Sequence, residues 1–88
     1  MEWKIGAVAE SLRGHDQGIF IIVRIEGRFA YIADGKLRPL EKPKKKNLKH
    51  LRPAGITLDL SRIQTNRQLR AALRTAHIEE DLSWLKKM

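Results

Sequence analysis

The fold is decided by residues 19–33, which read IFIIVRIEGRFAYIA. The first seven of these residues are β-branched or aromatic except for Arg24, a composition typical of a strand. Residues 29–33 form a second run of the same kind, and Gly27 lies in the short connection between the two runs. The stretch therefore predicts two neighbouring strands joined by a tight turn, the second returning beside the first.

Shorter strand and turn signals lie on both sides of this pair. Residues 7–12 form a short, partly alternating run, and residues 14–18 form a turn cluster with a glycine at each end. The dipeptide Asp34-Gly35 is favoured in two-residue hairpin turns because both central residues need positive φ. It predicts a hairpin to a short edge strand over residues 36–40, where the missing N–H of Pro39 is tolerated.

The lysine-rich segment that follows is predicted to be a loop over residues 42–47, because repulsion between neighbouring lysines disfavours packing. Leu48, His50 and Leu51 then predict a last strand that closes the sheet, and the Pro-Ala-Gly sequence of residues 53–55 predicts its end. Several short strands with tight glycine turns indicate a small β-barrel.

The second half of the chain is predicted to be helical. Thr65 and Gln68 have the spacing of a capping box, in which each residue satisfies a backbone N–H of the other. One helical face then carries apolar side chains and the opposite face carries arginines. The apolar residues are Leu69, Ala72, Leu73 and Ala76, and the arginines are Arg67, Arg70 and Arg74.

A change of helical face predicts a break near His77. The next apolar residues, Ile78, Leu82 and Leu85, lie well over 90° from the first apolar face at about 100° per residue. One straight helix with a single buried stripe does not explain this pattern. A second short helix is therefore expected after His77, ending in two lysines.

The positive charge is concentrated in one short segment. The chain has 88 residues and a formal net charge of +8. Residues 1–35 carry 4 Lys/Arg and 5 Asp/Glu, residues 36–52 carry 8 and 1, and residues 53–88 carry 6 and 4. Residues 36–52 therefore contribute +7, which favours binding to a polyanion.

Composition argues against several classes of function. The chain contains no cysteine, so thiolate metal sites and disulfides are excluded. The three histidines lack ligand spacing, and the serines and acids lack the arrangement of a nucleophile with its base. No apolar run approaches the roughly 20 residues of a membrane span, and residues 1–4 do not resemble a signal peptide. We expect a cytoplasmic, non-enzymatic protein without metal or cofactor.

The N-terminal pattern resembles a KOW motif, in which apolar residues alternate around a glycine turn between the first two strands. The matching positions are Gly6, Val8, Ser11, Gly14, Asp16 and Gly18, followed by residues 19–23. Residues 33–51 and 65–73 also resemble the small bacterial KOW-domain RNA-binding proteins, which are similar to a class of archaeal and eukaryotic large-subunit ribosomal proteins. The likeness covers residues 3–76.

This resemblance implies an SH3-like β-barrel of the KOW type that contacts structured RNA, usually ribosomal. The fold class expected is mainly β, with the barrel and its basic loop 41–49 in residues 1–53. Residues 54–88 are expected to form a linker and a C-terminal helical extension of the same domain.

The candidate RNA-binding residues fall into three groups. Residues of the KOW turn bring an RNA backbone close, and the lysines contact phosphates rather than read bases. They are Arg13, Gly14, His15, Gln17 and Gly18 in the turn, Lys36, Arg38, Lys42, Lys44, Lys45, Lys46 and Lys49 in the basic segment, and Arg67, Arg70 and Arg74 as a secondary contact. Tyr31 is interpreted as a half-buried strand aromatic, with base stacking as the alternative.

Two functions are compatible with these residues. The first is non-catalytic binding of ribosomal RNA by a monomer, in ribosome assembly or translation. The second is a protein-interaction module of the transcription or translation machinery. It would dock ribosomal or transcription proteins through the barrel edge or through the apolar residues Ile78, Leu82, Trp84 and Leu85. Non-specific DNA binding has the same electrostatic pattern as the first.

Overall fold

The computed structural model describes residues 3–12 and 18–86, the last ten of these (77–86) by backbone alone. The described chain forms five strands and one α-helix, with two single 3-10 turns. The strands are β1 (Ala7–Ser11), β2 (Gly18–Glu26), β3 (Phe29–Ala33), β4 (Lys44–Asn47) and β5 (Leu51–Thr57), the helix is α1 (Asn66–Lys86), and the 3-10 turns are Leu48–His50 and Leu60–Arg62.

All strand pairs are antiparallel, and the strands lie in the order β4-β3-β2-β1-β5. The nine-residue β2 pairs with β1 through its first half and with β3 through its second half. The register with β3 shifts between Ile22 and Arg24, and such a bulge increases local twist and bends a strand. The predicted strands over 19–25 and 29–33 are confirmed, as is the mainly β, barrel-like fold class with a C-terminal helix.

Both faces of the central strands are buried. One cluster contains Phe20 and Ile22 of β2 together with Ile32 of β3 and Leu51 of β5. Because β1 and β2 separate β5 from β3 in the sheet, the sheet must curl around this cluster. The opposite face contributes Val8, Ile21 and Ala33, which α1 covers with Leu69, Leu73 and Ala76. Burial on both faces explains why the apolar run at residues 19–23 does not alternate.

The start of α1 has the predicted capping box. The Gln68 N–H donates to the Thr65 hydroxyl over 3.1 Å, and the Gln68 side-chain oxygen accepts from the N–H of Thr65 over 3.1 Å. Leu69, Leu73 and Ala76 are buried, and the predicted apolar face is confirmed.

The predicted break near His77 is wrong, because α1 continues without interruption to Lys86. Residues 66–86 contain neither glycine nor proline and are rich in strong helix formers such as alanine, leucine, arginine and glutamate. A rotation of the apolar stripe changes which face is apolar, but it removes no backbone hydrogen bond. The backbone therefore has no reason to end at His77.

The predicted edge strand over residues 36–40 is also wrong. The Asp34 carboxylate accepts the N–H groups of Lys36 and Arg38 at 2.9 Å each, and the Arg38 carbonyl accepts the N–H groups of Asp34 and Gly35. The segment therefore folds back on itself instead of pairing with β3. Gly35 has positive φ but Asp34 does not, so the predicted two-residue hairpin turn is excluded.

The edge strand beside β3 is formed instead by the segment that was predicted to be a lysine loop. Residues 44–47 form β4 and pair with β3. Lysines are common on edge strands because their charge remains in water and prevents edge-to-edge association, so their mutual repulsion does not preclude a strand. The predicted basic loop 41–49 thus contains a strand and part of a 3-10 turn.

The last strand begins later and runs further than predicted, and it does not close the sheet, because β4 and β5 remain its two edges. Leu48–His50 forms a 3-10 turn, and β5 then continues to Thr57. The sheet therefore extends past residue 53, where the barrel was predicted to end. Pro53 is tolerated because β5 is an edge strand. Across the described ranges, 3–12 and 18–86, there is no helix with the length and apolarity needed to cross a membrane.

Candidate nucleic-acid interface

Strand β4 places three consecutive lysines along one edge of the sheet. Lys44 pairs with Ile32, Lys45 with Tyr31 and Lys46 with Ala30. Lys44 and Lys45 are exposed, and Lys46 is half-buried. The exposed residues Lys42 and Lys49 lie just before and after the strand. The pairing fixes the backbone positions of the cations, which a loop would leave variable.

A mixed surface of cations and aromatic rings lies beside this edge, on the face that Lys45 shares with Tyr31. The Arg24 guanidinium lies 5.5 Å from the centre of the Tyr31 ring, and the Lys45 Nζ lies 4.7 Å from the centre of the Phe29 ring. Both distances fall within the reach of a cation–π interaction. We call Arg24, Phe29, Tyr31 and Lys45 the cation–aromatic face.

Tyr31 is half-buried, as predicted. A hydrogen bond to Glu26, which favours the neutral phenol, raises the pKa of Tyr31 above its ordinary value of 10.0. Glu26 also accepts a 3.0 Å hydrogen bond from Arg24. At neutral pH the tyrosine therefore adds no negative charge to the cation–aromatic face, and the charge of the nearby carboxylate is offset by Arg24.

A second basic surface forms where α1 meets the sheet. An open groove of about 550 Å³ is lined by Gly18, Ile19, Asp34, Lys36, Arg70, Leu73 and Arg74. We call it the helix groove. It brings together Lys36 of the basic segment, two of the predicted secondary arginines, Arg70 and Arg74, and Gly18, the last residue of the predicted KOW turn.

Four hydrogen bonds fix the start of α1 against the connection between β3 and β4. Arg70 donates to the Gly35 carbonyl over 2.7 Å, and the Leu40 N–H donates to the Asn66 side-chain oxygen over 2.7 Å. The Asn66 amide also donates to both oxygens of Glu41 at 3.0 Å. These bonds preorganise one wall of the helix groove.

The remaining predicted RNA-binding residues lie outside both surfaces or outside the described residues. Arg38 is half-buried within the connection that follows β3, and Arg67 is exposed on α1 outside the groove lining. Arg13, Gly14, His15 and Gln17 lie outside the described residues. Apart from Arg38 and Arg67, the described members of the predicted set lie at the β4 edge or in the helix groove, and the role of residues 13–17 stays a prediction.

Sequence reasoning missed Arg24 and Phe29. Arg24 shares a face with Tyr31 only because the register shifts between Ile22 and Arg24, and the sequence contains no signal for that bulge. The partnership of Phe29 and Lys45 was missed because residues 44–47 were predicted to be a loop.

No protein-family model matches the chain, and no curated protein matches it either. The function is therefore argued from the two basic surfaces.

Proposed function

We propose that this chain is a non-catalytic RNA-binding domain of the KOW type, acting as a cytoplasmic monomer on ribosomal RNA in ribosome assembly or translation. The observation that carries the proposal is the edge strand of three lysines, in which Lys45 shares a face with the half-buried rings of Phe29 and Tyr31. Lysines attract phosphates without regard to sequence. Aromatic side chains add stacking surfaces for unpaired bases.

The charge distribution supports a polyanionic partner. Residues 36–52, with 8 Lys/Arg against 1 Asp/Glu, span β4, the preceding connection and the following 3-10 turn. The lysines at positions 42, 44, 45, 46 and 49 lie on β4 or within two residues of it, so much of this charge is at the β4 edge of the sheet. Neutralising about four phosphates of single-stranded RNA gives a log–log salt slope of about −3.

The presence of aromatic rings favours RNA with unpaired bases over duplex DNA. A base in a duplex is stacked on both sides, whereas loops and bulges of RNA expose bases that can stack on tyrosine or phenylalanine. The ribosomal assignment rests on the sequence resemblance.

Co-sedimentation with ribosomal particles tests this function. Tagged protein is fractionated at low and high salt, and the RNA crosslinked to it is sequenced. We expect enrichment on one subunit or its precursor, weakened by salt and by replacing Lys44, Lys45 and Lys46 with glutamate. Absence from all particles, with a protein partner recovered through residues 77–88, would support the interaction-module alternative instead.

A further inference from the structure

The helix groove has features that phosphate binding at β4 does not require. It lies at the Gly18 end of β2, whereas the cation–aromatic face lies toward the Glu26 end. Ile19 of the groove and Arg24 of the face are five positions apart on β2, a distance of roughly 17 Å at about 3.3 Å per residue. The two surfaces are therefore separate sites.

The volume and lining of the groove match a small ligand with an apolar part. Its volume of about 550 Å³ falls within the range of about 300–1,000 Å³ that is usual for ligand sites. Half-buried Ile19 and the exposed 7% of Leu73 supply apolar surface. Leu73 belongs to the core cluster beneath α1, and Ile19 packs against that cluster. The flat face of a nucleobase can cover such a surface.

The charges around this apolar surface favour an anion. Lys36, Arg70 and Arg74 contribute three positive charges, against one carboxylate, Asp34. One oxygen of that carboxylate already accepts the N–H groups of Lys36 and Arg38, so its charge is partly directed into the backbone turn. The lining has a net charge of +2, which suits a phosphate.

The Arg70 side chain is held against the turn at residues 34–38 before any ligand binds. Arg70 donates to the Gly35 carbonyl over 2.7 Å, and a guanidinium retains further N–H donors for a second acceptor. Arg74 follows one helical turn later on the same side of α1. Prior ordering lowers the entropic cost of binding.

We propose that the helix groove binds one unstacked nucleotide of the RNA, with its base against Ile19 and Leu73 and its phosphate beside Lys36 and Arg74. The assignment of this nucleotide to an RNA strand rests on the proposed function. A single nucleotide carries both groups that the groove favours: a flat base for the apolar surface and a phosphate for the cations.

Adenosine monophosphate is the probe that isolates this site, because one nucleotide cannot span both surfaces. In a ¹⁵N-labelled protein titration, we expect saturable shifts of the amides of Ile19, Lys36 and Arg70. Replacing Lys36 and Arg74 with glutamine should weaken binding by at least about tenfold, the loss expected for one or two charge-assisted hydrogen bonds. Arg62→Gln, in the exposed 3-10 turn before α1 and outside the groove lining, is the control and should leave binding unchanged.

Three further ligands define the outcomes. Inorganic phosphate and adenosine should each bind much more weakly than adenosine monophosphate. Equal shifts with phosphate would reduce the groove to an anion site, and equal binding of an acidic peptide would assign it to a protein partner. Either result overturns the proposal, as does an absence of saturable shifts.

A 2-aminopurine base within an RNA oligonucleotide distinguishes this proposal from the RNA-binding function. We expect its fluorescence to change on binding and this change to require Lys36 and Arg74. RNA binding that needs the β4 lysines, without groove shifts, would refute the groove proposal alone. Groove binding of free nucleotide without any RNA affinity would refute the RNA assignment and the proposed function together.

Discussion

Gly35 is constrained both by its backbone and by a neighbouring carbonyl. Its φ is +79°, and a Cβ added there would lie 2.5 Å from the carbonyl oxygen of Asn66. Gly55 has nearly the same φ, +81°, but an added Cβ would meet nothing within 4 Å. The pair therefore separates the effect of backbone conformation from that of close packing against α1.

We predict that Gly35→Ala lowers the free energy of unfolding by more than Gly55→Ala does. The positive φ alone costs about 1–2 kcal/mol in each variant. Gly35→Ala must also displace the start of α1, so its total should reach about 3 kcal/mol or more. Urea unfolding followed by circular dichroism measures both, and equal losses would contradict the close-packed junction.

Tyr31 provides a residue-scale test of the cation–aromatic face. Because its hydrogen bond to Glu26 raises the pKa of the phenol, Glu26→Gln should move that pKa back toward 10.0. The chain has one tyrosine, so absorbance of the tyrosinate reports this residue alone. An unchanged titration would show that the contact with Glu26 is not formed in solution.

The same contact predicts the sign of a pH effect on stability. Above the unfolded-state pKa, the folded protein retains the phenol proton more strongly than the unfolded chain does. The stabilisation is therefore complete below about pH 10 and is lost as the pH rises through the folded-state pKa. In Tyr31→Phe this component should be absent.

Among the elements, α1 depends on its capping box. The Thr65 hydroxyl accepts the N–H of Gln68, and removing such a cap costs about 1 kcal/mol. We predict this loss for Thr65→Ala in urea unfolding. Thr75 also lies on α1, where its hydroxyl donates to the Ala71 carbonyl. Thr75→Ala is therefore the control and should be neutral or stabilising, because alanine is the better helix former. Equal destabilisation by both variants would contradict a specific cap.

Elements with strong local signals were predictable from sequence, and those set by tertiary contacts were not. The β2–β3 pair and the capped start of α1 followed from apolar patterning and cap spacing. The edge strand was wrongly predicted at residues 36–40. There the Asp34 carboxylate accepts the N–H groups of Lys36 and Arg38, and these hydrogen bonds compete with strand pairing. The strand at residues 44–47 was missed because its pairing with β3 outweighs lysine repulsion.

At the scale of the whole molecule, the sequence indicated that the site is basic. It did not indicate that the basic residues form two surfaces, the β4 edge and the helix groove. The lysine segment was found from charge alone. Lys36 was predicted to extend the site formed by the lysines, whereas the structure places it in the lining of the helix groove with Arg70 and Arg74. That placement depends on how α1 docks onto the sheet, through contacts more than 25 residues apart in sequence, such as Leu40 with Asn66.

The salt dependence of RNA affinity tests the central claim, that phosphates bind the β4 lysines. The wild-type log–log slope for single-stranded RNA should be about −3, and replacing Lys44, Lys45 and Lys46 with glutamine should bring it to about −1, since about three phosphate contacts are lost. Replacing Lys4, Arg52 and Arg62, which are exposed away from β4, removes the same charge and should leave a slope close to wild type. Equal reductions in both variants would show that only net charge matters, and a salt-independent wild-type affinity would contradict RNA binding through this edge.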